Sequence, residues 1–509
     1  MTFVLTISSW RSYGNDILSL LAGSSVFLAF APFAWFPLAI IAPAILFTIW
    51  YHTTSPRRAF GRGLLFGIGM FGFGVSWVLV SFHQFGGIPL LGAIALTAAF
   101  VIIMALYIAL LGGLLIRWVP NRHALLTFVL ILPASWTLIE WLRGWLFTGF
   151  PWLSLGYSQI DSPLRGFAPL LGVYGLSWLV VLTAGLFAYS VHLKKLDWRI
   201  GLIGIAIWVG GWLLSHQSWT QPIGNPIQVA LLQGNIPQEF KWLSGYQLPS
   251  IERYLQLSQA NRDADLIIWP ETAIPLFYQD VSIYVPDFWE QLALEQQTYH
   301  TDFLIGIPVM TTDSKTYFNS VMSVSNRPSF YYKHHLVPFG EYIPLQAWLG
   351  NLLKWLDVPL SEFSAGQLSQ PPLLSSGQAI GVSICYEDAF GDLIRYSLPA
   401  ATLLVNVSND AWFGSSIAPY QHLEIARMRA LESGRYLLRT TNTGISAIID
   451  AQGRVVEQTP QFKIIALRAA AQPYQGTTPY VRFGNNLSII SLFLMIIIGN
   501  FIQRFHLLR

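Results

Sequence analysis

The chain has 509 residues, of which 53% are hydrophobic and only 11% charged, with a net charge of +3. Soluble domains carry about 25% charged residues, so much of this chain is built for something other than water. No basic run accompanies the small positive excess, which argues against a nucleic-acid partner, and a single cysteine excludes an intrachain disulfide.

A membrane-spanning helix needs roughly 20 apolar residues, because about 30 Å of hydrocarbon is crossed at about 1.5 Å per residue. In chain order, spans are expected near Ile17–Pro32, Phe36–Tyr51, Gly63–Phe82, Pro89–Ile116, Leu125–Leu142, Phe167–Val191, Ile200–Ser215 and Leu487–Phe501. The second and seventh are short. No small-residue cleavage site follows the first, so it does not read as a secretory signal.

Basic residues in short loops set the orientation. Arg11 precedes the first span, Arg57, Arg58 and Arg62 follow the second, and Arg117 and Arg122 follow the fourth. Lys194, Lys195 and Arg199 follow the sixth, and Arg504 and Arg509 end the chain. If the spans alternate, these loops share one side; the loops at Ala31–Phe36 and His83–Ile88 carry no Lys or Arg. The connection from Arg143 to Arg165 is the exception. Both termini are therefore expected in the cytoplasm and the stretch between the last two spans outside. This gives a helical bundle over 1–216, an extracytoplasmic domain over 217–484 and a C-terminal membrane helix over 485–509.

Within the outer domain, strands are expected at Ile227–Leu232, Leu266–Trp269, Phe303–Ile307, Asn319–Val324, Ala379–Ile384, Leu403–Val407 and Ser446–Ile449. Helices are expected at Pro249–Asn261, Asp287–His300 and Tyr420–Arg435. Alternating strands and helices predict an α/β layered domain. Catalytic groups in such sheets often sit on turns just past strand ends. Three candidates do so: Glu271 after Leu-Ile-Ile-Trp-Pro, Lys333 before a Pro/Gly-rich loop, and Cys385 at the end of Ala-Ile-Gly-Val-Ser-Ile-Cys.

Each residue type suits acyl chemistry. A thiol is mostly protonated at neutral pH and needs a base to become a nucleophile. Attack on an ester creates an oxyanion, which a fixed ammonium stabilises in a dry site. Read singly, a Glu or Lys is usually a solvated charge, and a lone cysteine is also common as a small buried hydrophobe. The residues alone leave both readings open.

Taken together, the three segments resemble the nitrilase superfamily, with its four-layer αββα fold and Glu–Lys–Cys triad. The flanking spans and several longer motifs resemble the apolipoprotein N-acyltransferases, the membrane-embedded branch. The motifs are Gln233-Gly-Asn-Ile-Pro-Gln238, Trp269-Pro-Glu-Thr-Ala273, Leu336-Val-Pro-Phe-Gly-Glu-Tyr342, Ser383-Ile-Cys-Tyr-Glu387 and Asn409-Asp-Ala-Trp-Phe-Gly414. Arg429-Ala-Leu-Glu432 and Thr441-Asn-Thr-Gly444 belong with them, as do Gly149-Phe-Pro-Trp152 and Gly156-Tyr-Ser-Gln159 in the membrane part.

That resemblance implies Glu271 as general base, Cys385 as nucleophile and Lys333 as stabiliser of the tetrahedral intermediate. Trp242, Glu341, Tyr386 and Glu387 fall on further positions the family needs, Glu341 being placed to orient Lys333. The implied reaction moves an acyl chain from a membrane phospholipid to Cys385, and from there to the α-amino group of a diacylglyceryl-cysteine on an apolipoprotein. The implied location is the bacterial inner membrane, and no cofactor is implied.

Other features have two readings each. Leu345, Trp348, Leu349, Leu352, Leu353 and Leu356 recur at helical spacing, as an arm dipping into the bilayer or a stripe packed on its own domain. Glu140 and Arg143, one turn apart at the end of the fifth span, face lipid headgroups or pair with each other. His334, His335 and His422 lack zinc-ligand spacing, so structural or solvated roles and no metal are expected. Two competing functions remain: a membrane-anchored amidase or nitrilase-type hydrolase, and a transporter or scaffold, against which ionisable residues at mid-span are sparse.

Overall fold

In the computed structural model, residues 2–119, 123–194, 197–311, 316–324, 328–343 and 363–506 are described. They divide into two units, one of Met1–Leu79, Pro89–Gln217 and Phe483–Arg509, the other of Val80–Ile88 and Ser218–Arg482. The leucine-rich stripe at 345–356 lies outside the described residues.

The first unit is helical. Its helices include α1 (Thr2–Ser25), α2 (Leu38–Tyr51), α3 (Pro56–Gly74), α4 (Val78–Phe85, which runs into the second unit), α5 (Leu90–Trp118) and α6 (Ala124–Arg143). Then come α7 (Pro163–Leu193), α8 (Trp198–Leu214) and, at the end of the chain, α12 (Asn486–His506). Among the described residues, α5, α6, α7 and Asn486–Gln503 are long and apolar enough to cross a membrane. The helices α2 and α8 are apolar but only 14 and 17 residues long. The stretch expected as one span at Gly63–Phe82 is interrupted: α3 stops where Val75 leaves the helical region at φ −130°, and the chain coils again only at α4. Small residues set the packing of α3 on α5. A Cβ on Gly67 would stand 2.6 Å from the Ala105 Cα, so only glycine permits that approach.

Glu140 and Arg143 do not turn outward toward headgroups, and the Arg143 charge acts on the Glu140 carboxylate. They are 4% and 3% exposed, buried within the helical unit. The Glu140 carboxylate accepts from Trp136 Nε1 at 2.9 Å and from the Leu155 amide at 3.1 Å. Arg143 donates to the carbonyls of Phe150 and Trp152, at 2.6 and 2.5 Å. The polar groups of a loop inside an apolar bundle need partners, and these two side chains supply them.

The second unit is built on two six-stranded sheets. In chain order the strands are β1 (Thr220–Pro222), β2 (Ile227–Gln233), β3 (Leu266–Ile268), β4 (Asp302–Met310), β5 (Tyr317–Val324), β6 (Ser329–Tyr332) and β7 (Leu373–Ser375). They continue with β8 (Gln378–Ile384), β9 (Leu403–Ser408), β10 (Leu437–Thr441), β11 (Ala447–Ile449), β12 (Val455–Gln458), β13 (Ile465–Ala471) and β14 (Tyr474–Gly476). One sheet has the order β13-β2-β3-β4-β5-β6, the other β12-β11-β10-β9-β8-β7, and β1 pairs with β14.

The sheets share an apolar core of Val229, Leu231, Ile268 and Leu304 from one side and Val405, Val407, Ile384 and Leu438 from the other. On its far face the first sheet packs Ile251 and Tyr254 of α9 (Ser244–Gln259) and Leu292 of α10 (Phe288–Tyr299). The second packs Leu423, Ala426 and Ala430 of α11 (Ala418–Ser433). The expected strands and helices are all present, with ends shifted by a few residues. Strands β1, β6, β7, β12 and β14 were not expected, nor were β10 and β13. Arg439 interrupts β10, and β13 reads Ile-Ala-Leu-Arg-Ala-Ala-Ala, where alanine has low strand propensity.

Candidate active site

Glu271 sits on the turn after β3. The turn lies flat on β4 because residue 306 is glycine: a Cβ there would meet the Pro270 carbonyl oxygen at 2.1 Å. Lys333 follows β6, its amide bonded to the Asn319 carbonyl of β5 at 2.8 Å. Cys385 follows β8 and turns the chain sharply, with φ +52°. For a non-glycine residue this left-handed conformation costs on the order of 1–3 kcal/mol, which the surroundings must supply.

The three strand ends converge. Lys333 Nζ lies 2.8 Å from Glu341 Oε2 and 3.5 Å from Glu271 Oε1. Asn319 Nδ2 donates to Glu271 at 2.7 Å and to Glu341 at 3.0 Å, so one amide joins the two carboxylates. Lys333 is 1% exposed, Glu271 8% and Glu341 9%. Burial works against the Lys333 ammonium, but Glu341, then Glu271 and Cys385, outweigh it and raise its pKa above the ordinary lysine value. Lys333 is thus a permanent cation.

Part of Cys385 reaches solvent. Even so, the crowding of its thiol and the charge of Glu271 push its pKa up, while Lys333 pulls it down. The resting group is therefore a thiol, with a carboxylate and an ammonium acting on it.

Glu387 ties Cys385 to Lys333. It is wholly buried, and one oxygen accepts the amides of His334 at 2.7 Å and His335 at 3.0 Å. The other accepts from the Ile384 amide at 2.8 Å and from Tyr331 Oη at 3.0 Å. Burial raises the Glu387 pKa despite these donors and the nearby Lys333.

Behind the nucleophile's turn lies an ionic cluster. His422 bonds Asp410 at 2.9 Å and Asp388 at 3.0 Å. Arg439 reaches Asp410 at 2.9 Å, Asp388 at 3.2 Å and Asn406 at 2.5 Å, and Asn406 Nδ2 donates to the Cys385 carbonyl at 3.2 Å. Burial and Arg439 oppose a charged His422, but Asp388 and Asp410 prevail and lift its pKa to about 9. Burial also works against the Asp410 carboxylate, yet Arg439 and His422 hold it well below the usual range.

The structure thus brings Glu271, Lys333, Glu341, Cys385 and Glu387 together. Tyr386 packs beside them, its ring 5.9 Å from His335 and 5.1 Å from Phe390. Trp242 stays 48% exposed on the turn before α9. His422 has the expected structural role, here a charged one. Sequence reasoning missed Asn319, Lys241 and the Asp388–Asp410–Arg439 cluster. Arg439 and Asn406, charged or polar in the middle of strands, were the available signals. Among the described residues, no group of three or more His, Cys, Asp or Glu side chains is arranged to hold a metal.

The unit that carries this site has the fold of the carbon–nitrogen hydrolase superfamily, whose family model matches residues 228–474. The model for the apolipoprotein N-acyltransferase N-terminal domain matches residues 22–186. An apolipoprotein N-acyltransferase of Methylococcus capsulatus is 44% identical over 470 residues, 92% of this chain and 92% of its own. One from Nitrosomonas europaea is 44% identical, covering 96% and 98% of the two chains. A third, from Coxiella burnetii, is 41% identical over 95% and 99%. The chain belongs to the apolipoprotein N-acyltransferase family, an acyltransferase family of that superfamily.

Proposed function

We propose that this protein transfers an acyl chain from a membrane phospholipid to the α-amino group of an N-terminal diacylglyceryl-cysteine on apolipoproteins, through a thioester on Cys385. The observation that carries the chemistry is the Lys333 ammonium, held by Glu341 and facing Glu271, beside a cysteine whose backbone is held in the left-handed region at a strand end. The family supports the acceptor, and the apolar helices of the first unit fit substrates that live in a bilayer.

In the first half-reaction Glu271 takes the Cys385 proton as sulfur attacks the ester carbonyl. Lys333 stabilises the tetrahedral oxyanion, which is the step where a fixed charge lowers the barrier most. Collapse breaks the ester C–O bond, and the lysophospholipid leaves with the proton held by Glu271. In the second half, the neutral amine attacks the thioester and gives a proton to Glu271. The C–S bond breaks, the amide forms, and the proton returns to sulfur. A raised thiol pKa suits a base-assisted attack rather than a resting thiolate. Glu341 orients Lys333, Glu387 fixes the two turns, and Trp242 and Tyr386 contact substrate at the rim.

The loop charges support a multi-pass protein of about eight spans in the bacterial inner membrane, with both termini cytoplasmic and an αββα catalytic domain on the periplasmic side. The test is the intact mass of the purified chain after incubation with phospholipid in detergent. An acyl adduct on the native chain but not on Cys385→Ala, discharged by a diacylglyceryl-cysteine peptide, is expected. Discharge by water at the same rate would make the protein a hydrolase instead.

A further inference from the structure

Lys241 has no role in the reaction just described. It lies on the turn between β2 and α9, where its chain neighbours Phe240 and Trp242 are 38% and 48% exposed. Lys241 itself is only 4% exposed. A lysine buried between two exposed aromatics reverses the usual preference of both residue types. The side chain points inward, and its Nζ donates to the backbone carbonyl of Glu271 at 3.1 Å. The charges of Glu271, from the turn after β3, and Cys385, from the turn after β8, both act on it.

The turn that carries it is firmly placed. Asn442 accepts the Ile236 amide at 2.9 Å and donates to the Ile236 carbonyl at 2.7 Å. Asn409 Nδ2 donates to Gln238 Oε1 at 2.6 Å. Burying an ammonium costs several kcal/mol unless other charges compensate it. Burial lowers the Lys241 pKa to about 8 while Glu271 and Cys385 resist the fall, so the group is still mostly cationic at neutral pH.

The charges of the site explain what compensates it. Glu271 and Glu341 share Lys333, which leaves these three side chains with one negative charge in excess. Lys241 balances them. When the Cys385 proton moves to Glu271, negative charge passes from one neighbour of Lys241 to the other. We propose that Lys241 is a second cation of the reaction centre, a positioning residue that holds the Glu271 turn by its carbonyl and stabilises the negative charge shared between Glu271 and the Cys385 sulfur. The proposal rests on the reading of Glu271, Lys333 and Cys385 as that centre.

Cys385 is the chain's one cysteine, so iodoacetamide reports on it alone. The alkylation rate of the full chain in detergent is followed by intact mass from pH 6 to 10 for the native protein, Lys241→Gln and Lys241→Arg. Glutamine keeps an N–H donor for the Glu271 carbonyl and loses the charge, whereas arginine keeps the charge. Below about pH 8, where Lys241 is charged, Lys241→Gln is expected to alkylate roughly tenfold more slowly than the native protein, the two rates converging as Lys241 loses its proton at higher pH. Lys241→Arg is expected to follow the native profile. A Lys241→Gln profile that overlays the native one overturns the proposal. So does an equal, pH-independent slowing of both variants, which marks a structural role only. Should Lys241→Gln fail to fold, Lys241→Met is compared with Lys241→Arg instead; it lacks both charge and donor, so a Lys241→Met profile that overlays the native one overturns the proposal outright. Acyl transfer that survives Cys385→Ala would sink the reading of the centre, an outcome separate from any change in the alkylation profile.

Discussion

The Glu387 carboxylate, two residues past Cys385, accepts the amide of His334, one residue past Lys333, at 2.7 Å. Nucleophile and cation are thereby set on two strand ends joined by one side chain. Tyr331, His334, His335 and Ile384 all donate to this carboxylate. In Glu387→Gln an NH2 group must face donors in place of an oxygen. Leaving a buried donor unpaired costs about 1–3 kcal/mol. We expect Glu387→Gln to lose at least about tenfold in acyl-adduct formation and to lower the unfolding midpoint, both measured on the purified protein.

Gly306→Ala tests the placement of the base. The new Cβ would stand 2.1 Å from the Pro270 carbonyl oxygen and 2.8 Å from the Thr272 amide, so the backbone on either side of Glu271 must move. Displacing a reacting group by about 1 Å can cost on the order of a hundredfold in rate. The expected result is a fall of that size in adduct formation. Native-like activity in Gly306→Ala would mean that the turn has freedom to shift.

The charge on His422 makes stability depend on pH. Its folded pKa of about 9 lies above the ordinary 6.5, so its contribution is complete below about pH 6.5 and disappears as pH rises through 9. The total is roughly 3 kcal/mol at most. The native protein should lose thermal stability between pH 6.5 and 9, and His422→Gln should show a smaller loss over that window. Parallel curves would mean that His422 stays neutral in the fold.

In the helical unit, Arg143→Met removes the donor to the Phe150 and Trp152 carbonyls. It also leaves Glu140 buried without that cation. Breaking a buried polar network in this way costs about 3–5 kcal/mol. Lower yield of folded protein and a lower unfolding midpoint are expected, whereas a headgroup-binding residue would change only lipid dependence.

Much of the catalytic unit was legible because β3 and β8 are apolar runs that end at Pro270 and Cys385, and because Lys333 opens a Pro/Gly-rich loop. What escaped was polar. Arg439 looks wrong inside a strand until Asp388 and Asp410, 51 and 29 residues away, are seen against it. Lys241 reads as a surface charge until the Glu271 carbonyl, 30 residues away, appears over it. Glu140 and Arg143 read as interfacial because they sit at a helix end, and only the returning loop shows that they are buried.

The sequence by itself determined which segments are apolar helices, which unbroken apolar runs are strands, and the order Glu271, Lys333, Cys385 along the chain, since these follow from local composition and periodicity. The tertiary structure decided which charges are buried and what each one faces. A side chain's ionisation and orientation depend on groups brought to it from distant strands, and local sequence carries no record of them.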